Sequence, residues 1–509
     1  MKVNFTQKNL FNLFLFLVIS QLGIAQNITG KIIDSQTGEA IPYANIQVNN
    51  SESLISNLEG YFTLSEKYSS DETIITITYL GYAHRQMSVL DLKKAQNTVR
   101  LIQGIVELND VDISNEKPDA NKIMAKVKEN LKRNYNEGQP KKDLIFVRNS
   151  TAFKPTKFDF EIDKSTVLTS KALKSTNAEL SAFTKLLIAE PPHQFTDYLC
   201  NYYTATTKKD GKDELLTKLE VLKATKLKNE NRSTSLDDLE KKFTDIILQN
   251  LDSTKFYRVK SGLFGSRDTI SLRKDYNKSK NIKVENQLTA SKSYLDYYMK
   301  RNDILSAKRL AFINKPDQYD YVYEGATYSK ENEFVYVISF KPRKSKAKYT
   351  GKIYVSENDF AVLRTDYTLE EGEKEFGFNM KLLLGVKFSV NVSKGTIIYK
   401  QNPNDNGYFM QYAALESGQY FYFNRPIKFI ELTKGEKDVV KFELKVEGSS
   451  KDKTEYMNMK REEVSKATIE NFKEEDFKFI NLKTYDPKIW KDYSAIEPLE
   501  EMKEFKAAN

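Results

Sequence analysis

Two histidines and one cysteine are all the imidazole and thiol this 509-residue chain contains. An open catalytic zinc site takes imidazole and carboxylate ligands, one pair of them at short spacing, plus a distant second imidazole. Here His84 is followed by Arg85-Gln86-Met87 and His193 by Gln194-Phe195-Thr196. Neither has Glu three residues on, so zinc peptidase chemistry is not supported. Both read as structural, His84 in a strand and His193 in a loop after Pro191-Pro192. Cys200, standing alone, allows no intramolecular disulfide and no Cys-rich metal site, and reads as a buried or unpaired thiol. The carboxylates offer one pattern. Asp159, Glu161 and Asp163 alternate with Phe158, Phe160 and Ile162, which on a strand places three acids on one face. Such a row can bind a cation or serve acid/base work in a hydrolase, but a solvated sheet face accounts for it equally. No Gly-rich calcium loop or second acidic cluster stands nearby. No catalytic residue, metal ligand or cofactor is therefore assigned.

Two other clusters are suited to contact rather than chemistry. Lys341, Arg343, Lys344, Lys346 and Lys348 place five cations in eight residues at a hairpin, where they can meet lipid phosphates or an acidic partner, or simply be solvated. Tyr420-Phe421-Tyr422-Phe423 can stack on sugars or line a lipid cavity, although alternating aromatics in a strand are more often core and sheet surface.

The composition fits that emphasis. Hydrophobic residues make up 40% and charged residues 29%, with only 20 Gly and 12 Pro, which excludes collagen-like and low-complexity chains. Against 30 Tyr and 30 Phe there is one Trp. Residues 1–25 stand apart: Lys2 and Lys8, the apolar run Leu10–Ile19, then Gly23-Ile24-Ala25. That order predicts a Sec signal peptide cleaved before Gln26. No Cys follows the run, so a lipoprotein anchor is not expected. Removal of Lys2 and Lys8 takes the formal charge from +9 to +7. The mild charge, the export signal and the lack of a binding motif exclude nucleic acid as a partner. No later stretch approaches the length of a transmembrane helix.

From Ile28 to about Ile113, short alternating segments are broken by turns every 8–12 residues, the pattern of a seven-stranded antiparallel β-sandwich. Gly30-Lys-Ile-Ile-Asp34, Gly38-Glu-Ala-Ile-Pro42-Tyr-Ala-Asn45-Ile-Gln-Val48, Gly60-Tyr-Phe-Thr-Leu64 and Tyr79-Leu-Gly81-Tyr82 occur in order. In these residues the segment resembles the carboxypeptidase-regulatory-like domain, a transthyretin-like sandwich common at the N-termini of exported and outer-membrane proteins of Bacteroidetes. One departure is Glu59 where that family commonly has Asp before the turn Gly. The resemblance implies an accessory domain, since this module accompanies some carboxypeptidases without being catalytic.

Beyond Pro118, Asp119 caps an expected helix with Ile123, Val127, Leu131 and Tyr135 on one stripe, docked on a following sheet. A second helix is expected from Ser235 through Ile247 and a third around Tyr294–Met299, while Lys212–Asn229 fits helix or strand. From Tyr319 to about Val446, nine or so short strands read as a meander. Their shortness and interrupting charges speak against a transmembrane barrel. This part, with Tyr257–Gly265 and Tyr485–Trp490, is similar, less specifically, to uncharacterised envelope proteins that carry the regulatory-like domain. In some of those, a curved sheet reminiscent of periplasmic lipoprotein carriers precedes an outer-membrane barrel. Trp490 is expected to pin the C-terminal tail to the body.

The expected organisation is a signal peptide (1–25), a β-sandwich (26–114), a mixed region (115–318), an antiparallel meander (319–450) and a C-terminal extension (451–509). The fold class is mainly β, the sandwich followed by an α+β body with a large curved antiparallel sheet. The expected function is that of an exported, non-enzymatic envelope protein, periplasmic or outer-membrane associated. Its expected partner is an apolar ligand, a lipid or another envelope protein. A carboxylate-dependent hydrolase and a carbohydrate-binding protein are the alternatives.

Overall fold

The computed structural model describes residues 27–49, 52–104, 117–136, 138–227, 245, 251, 254–261, 264–271, 286–328, 333–402, 405, 407–432, 438–490, 493 and 496–505. The expected signal peptide, the end of the expected sandwich segment from residue 105 on and all but one residue of the helix expected at 235–247 lie outside them. The chain divides into two units, Met1–Gly104 with Asp486–Leu499, and Ile105–Tyr485 with Glu500–Asn509.

In the first unit β1 (Ile28–Asp34), β4 (Tyr61–Leu64) and β7 (Thr98–Leu101) form one sheet. The second sheet joins β2 (Asn45–Val48), β3 (Glu52–Ile55), β5 (Ile74–Thr78) and β6 (Arg85–Ser88). Alternation decides which side chains enter: Ile46, Val48, Phe62, Leu64, Ile75, Ile77, Val99 and Leu101 are buried in one core. Every pairing is antiparallel except β1 with β7. A short helix, α1 (Val89–Lys94), is capped by Ser88. Gly60 has φ +78°, and a Cβ there would lie 2.5 Å from the Ile32 carbonyl oxygen, so the turn requires Gly. The end of β1 is fixed by the Asp34 carboxylate, which accepts from the N–H of Gln36 and Thr37, the Tyr82 hydroxyl and the Gln103 amide. The tail belongs here too. Trp490 is buried, Pro498 accepts a hydrogen bond from Asn57, and Asp486–Leu499 groups with the sandwich rather than with the body to which Trp490 was expected to pin the tail, whereas Glu500–Asn509 groups with the body.

In the second unit the described strands form one 14-stranded sheet. They are β8 (Lys141–Ser165), β9 (His193–Lys209), β10 (Lys212–Leu227), β11 (Phe256–Ser261), β12 (Phe264–Ser271), β13 (Tyr319–Tyr328) and β14 (Phe334–Pro342). They continue with β15 (Tyr349–Ser356), β16 (Val362–Leu369), β17 (Phe376–Met380), β18 (Val386–Gln401), β19 (Tyr408–Glu431), β20 (Val439–Glu463) and β21 (Ile480–Leu482). The order is β13-β14-β15-β16-β18-β19-β20-β8-β9-β10-β21, antiparallel throughout except β10 with β21. Strands from 115–318, 319–450 and 451–509 thus interleave in a single sheet. Lys212–Leu227, ambiguous in sequence, is a strand because it pairs along its length with β9.

The expected short strands fuse into long ones. Tyr408–Tyr412, Gln419–Phe423 and Lys428–Leu432 lie in one 24-residue strand, save Leu432 just past its end, and β8 and β20 have 25 residues each, about 80 Å of extended chain. Gly395, Gly418 and Gly448 look like turn residues but sit inside strands. A Cβ on each would lie within 3 Å of Leu415, Val392 and the Lys154 carbonyl oxygen respectively, so they admit close neighbours rather than reversing the chain.

Helix α2 (Ala120–Asn134) is capped by Asp119 and buries Ile123, Met124, Val127 and Leu131 against the sheet, as its stripe predicts. It shares a core with α4 (Gln287–Arg301) and α5 (Ala311–Asn314). Helix α3 (Ser170–Ala189), unanticipated although Thr169 caps it and Leu180, Phe183 and Leu187 form its stripe, covers a second core with Phe158, Phe160, Ile162, Phe429 and Phe442. The remaining helices, α6 (Lys381–Leu384), α7 (Lys466–Asn471) and α8 (Glu500–Lys503), are single turns or little more.

Strand β8 is locked on both sides. Asp143 takes a bidentate bond from Arg461 on β20 at 2.7 and 2.9 Å, and Arg148 gives one to Asp197 on β9 at 2.9 and 2.7 Å. All four side chains are buried, and each pair sits directly opposite in the ladder. Removing one partner strands a buried charge, so Asp143→Ala or Asp197→Ala is expected to cost about 3–5 kcal/mol in urea unfolding. Asp159→Ala, on the exposed face, should cost less than about 0.5 kcal/mol; equal effects would refute the lock.

Candidate apolar docking site

Strand β17 reads Phe376-Gly377-Phe378-Asn379-Met380, so its three large apolar side chains share one face. A one-turn helix, α6, follows, and the chain reverses at Gly385, whose φ is +64° and whose Cβ would lie 2.2 Å from the Asn424 carbonyl oxygen. β18 then pairs back, setting Phe376 opposite Val390, Phe378 opposite Phe388 and Met380 opposite Val386. The product is a two-faced ribbon. Its apolar face is open: Phe376 is 58% exposed, and at the tip Leu382 and Leu383 are 101% and 84% exposed.

The register carries this face across the sheet. Val386 and Phe388 lie opposite Phe423 and Phe421, which lie opposite Val446 and Gly448, which lie opposite Phe158 and Pro155. Directly opposed residues share a face. Because Gly448 has no side chain, the Phe421 ring reaches over β20 and stacks on Phe153, with centroids 5.1 Å apart and planes 7° from parallel. An apolar stripe therefore runs from the exposed ribbon to Phe158, in the core beneath α3. Of the aromatic run, Phe421 and Phe423 join the stripe. Tyr420 and Tyr422 point to the other face, where Lys387 and Lys381 sit over their rings at 5.1 and 4.0 Å.

An open recess of about 460 Å³ at the ribbon is lined by Lys348, Lys374, Lys387 and Glu373 together with Phe378 and Phe388. The ribbon root is anchored by Glu375, which pairs with Arg301 and lies 3.5 Å from Arg309. Burial opposes its ionisation, but the two guanidinium groups hold its carboxyl below the usual range. In the sequence, residues 376–386 carry the alternation of β17, three consecutive leucines and no acid, signals that do not by themselves separate an exposed apolar run from a buried one.

The singled-out residues are distributed elsewhere. Among the five cations, Arg343 donates to the Asp317 carbonyl, Lys344 pairs with the Asp317 carboxylate, and Lys348 donates to the Glu375 carbonyl. Lys341 and Lys346 are exposed. Asp159, Glu161 and Asp163 do alternate with buried Phe158, Phe160 and Ile162, and they face solvent, Asp159 pairing with Lys157 and Asp163 with Lys441. Among the described residues no group of three His, Cys, Asp or Glu could hold a metal ion. His84 is exposed, one residue before β6 instead of within a strand. Cys200 is buried, which raises its thiol pKa and makes it inert.

His193 opens β9 rather than occupying a loop. Its Nε2 lies 2.9 Å from Ser150 Oγ, and its Nδ1 lies 3.1 Å from Glu501 on α8. The connectivity matches a hydrolase relay. Yet Ser150 lies mid-strand, paired with Lys453 on one side and Phe195 on the other, so the neighbouring N–H groups that would form an oxyanion hole belong to the ladders. The chain of bonds acts as a latch for α8, beside Phe195, Met502 and Phe505. Burial, with Lys154 and Lys451, lowers the His193 pKa against the opposing pull of Glu501. A depressed folded-state value means that the neutral ring stabilises the fold. That contribution is complete above the unfolded pKa of about 6.5 and is lost as pH falls below it. Wild type is therefore expected to lose more stability than His193→Gln between neutral and mildly acidic pH in urea unfolding; parallel profiles would refute the depressed His193 pKa.

No curated protein matches the chain. A solved structure of a protein described as membrane-associated and of unknown function, from Bacteroides fragilis, aligns over 85% of this chain and 98% of its own at 9% identity, with a TM-score of 0.11. Residues 28–113 match the CarboxypepD_reg-like family model, over the span that holds the two sheets and Asp34. The N-terminal segment of this chain is a CarboxypepD_reg-like domain.

Proposed function

We propose that this is an exported, non-enzymatic accessory protein of the cell envelope, at the periplasmic face or surface of the outer membrane, that holds an apolar ligand or partner segment. The observation that carries the reading is the apolar stripe from Phe376 and Phe378 through Phe388 and Phe421 to Phe153, continuous in register and open at the ribbon. Contiguous exposed apolar surface of this kind marks an interaction site. The regulatory-like domain accords with an accessory role. The hydrolase alternative loses its support in the ion pairs that Asp159 and Asp163 make with lysines. The carbohydrate alternative loses its platform, since Tyr420 and Tyr422 lie under Lys387 and Lys381.

Purification from envelopes followed by native mass spectrometry is expected to find a lipid or protein bound to the wild type and lost from Phe388→Ser/Phe421→Ser. An unliganded wild type, or retention by the variant, would overturn the reading.

A further inference from the structure

We infer that the β17–β18 ribbon enters the interfacial layer of an anionic phospholipid bilayer. The inference rests on the apolar-partner reading above and names that partner's class.

Shape is the first argument. Leu382 and Leu383 are adjacent, almost wholly exposed and in the one-turn helix of the reversal, which rests on β19 at Asn424. Adjacent leucines this exposed suit a fluid phase, which closes around them, better than a rigid pocket. Phe376, Phe378 and Met380 extend the same apolar surface down the ribbon.

Charge is the second. From Phe376 to Phe388 the ribbon carries Lys381 and Lys387 and no acid, while Glu370, Glu371 and Glu373 are held back at its root. Lys381 and Lys387 lie over Tyr422 and Tyr420, whose hydroxyl donates to Glu447, and Lys348 and Lys374 outnumber Glu373 in the adjoining recess. Long cationic side chains beside tyrosine rings, next to an exposed apolar turn, match the headgroup layer of an anionic membrane, where lysines meet phosphates while the apolar turn lies deeper.

Backbone chemistry sets the depth. Among the described residues β17 pairs only with β18, so its outer edge keeps N–H and C=O groups that need water. The ribbon therefore stops at the interface and does not span.

The test uses residues 26–509, which contain every described element and omit the apolar leader. Sedimentation with phosphatidylglycerol-containing phosphatidylcholine vesicles is expected to capture the protein, pure phosphatidylcholine to capture less, and added salt to weaken capture. Leu382→Ser/Leu383→Ser should lower vesicle affinity at least roughly tenfold, and Lys381→Glu/Lys387→Glu should abolish the lipid preference, with thermal unfolding of both unchanged. A fluorophore on Leu382→Cys should shift to the blue on vesicles, Cys200 being buried. No vesicle binding, or binding unaffected by the leucine changes, overturns the inference. Self-association that disappears with those changes also overturns it, assigning the ribbon to a second copy of the chain. If vesicles fail while a stripe-dependent ligand still co-purifies, the bilayer inference alone falls; if both fail, the apolar-partner reading falls with it.

Discussion

The body of this protein depends on the two buried Arg–Asp pairs that hold β8. Strands β8 and β20 start some 300 residues apart in sequence, and pairing them means closing a long loop before any contact repays its entropy. Alternation alone tolerates a shift of two residues. A guanidinium forked onto a carboxylate in a buried site does not, because any shift leaves both charges desolvated and unpaired. Arg461–Asp143 and Arg148–Asp197 face opposite neighbours of the same strand, so β20, β8 and β9 are held in register as a unit.

The apolar stripe is a consequence of that register. It exists because Val386, Phe423, Val446 and Phe158 lie on one line of opposed residues, and Phe388, Phe421, Gly448 and Pro155 on the next. A slip of one residue in any strand would send its aromatics to the opposite face. Long strands matter for the same reason. β8, β19 and β20 each contribute to the core under α2 and α4 at one end and to the core under α3 at the other. The stripe occupies the span between, where no described helix covers them.

Much of the local structure was legible from the residues. Asp119 and the spacing of Ile123, Val127 and Leu131 mark α2, and Phe158–Asp163 shows its two faces, because capping and alternation are short-range physics. The ordered Gly, Pro and Tyr positions of the N-terminal domain were readable for a similar reason: Gly60 answers to its own backbone angle. Strand ends were not legible. Gly418 and Gly448 resemble turns until the neighbouring strand shows what their missing side chains make room for. The ribbon was missed because an apolar run looks the same whether it is buried or exposed, and the Ser150–His193–Glu501 latch because its third member lies some 300 residues from the second.

By itself the sequence determined the mainly β class, the N-terminal family, the absence of a zinc peptidase's ligand set and the alternation that splits each strand into two faces. All of these follow from residue type and from neighbours a few positions apart. Tertiary structure decided which faces are covered, that three separately read stretches share one sheet, that Asp159, Glu161 and Asp163 are solvated, and that Leu382 and Leu383 are left exposed. Burial and register are properties of pairs distant in sequence, set where buried charge and packed volume exclude every other alignment.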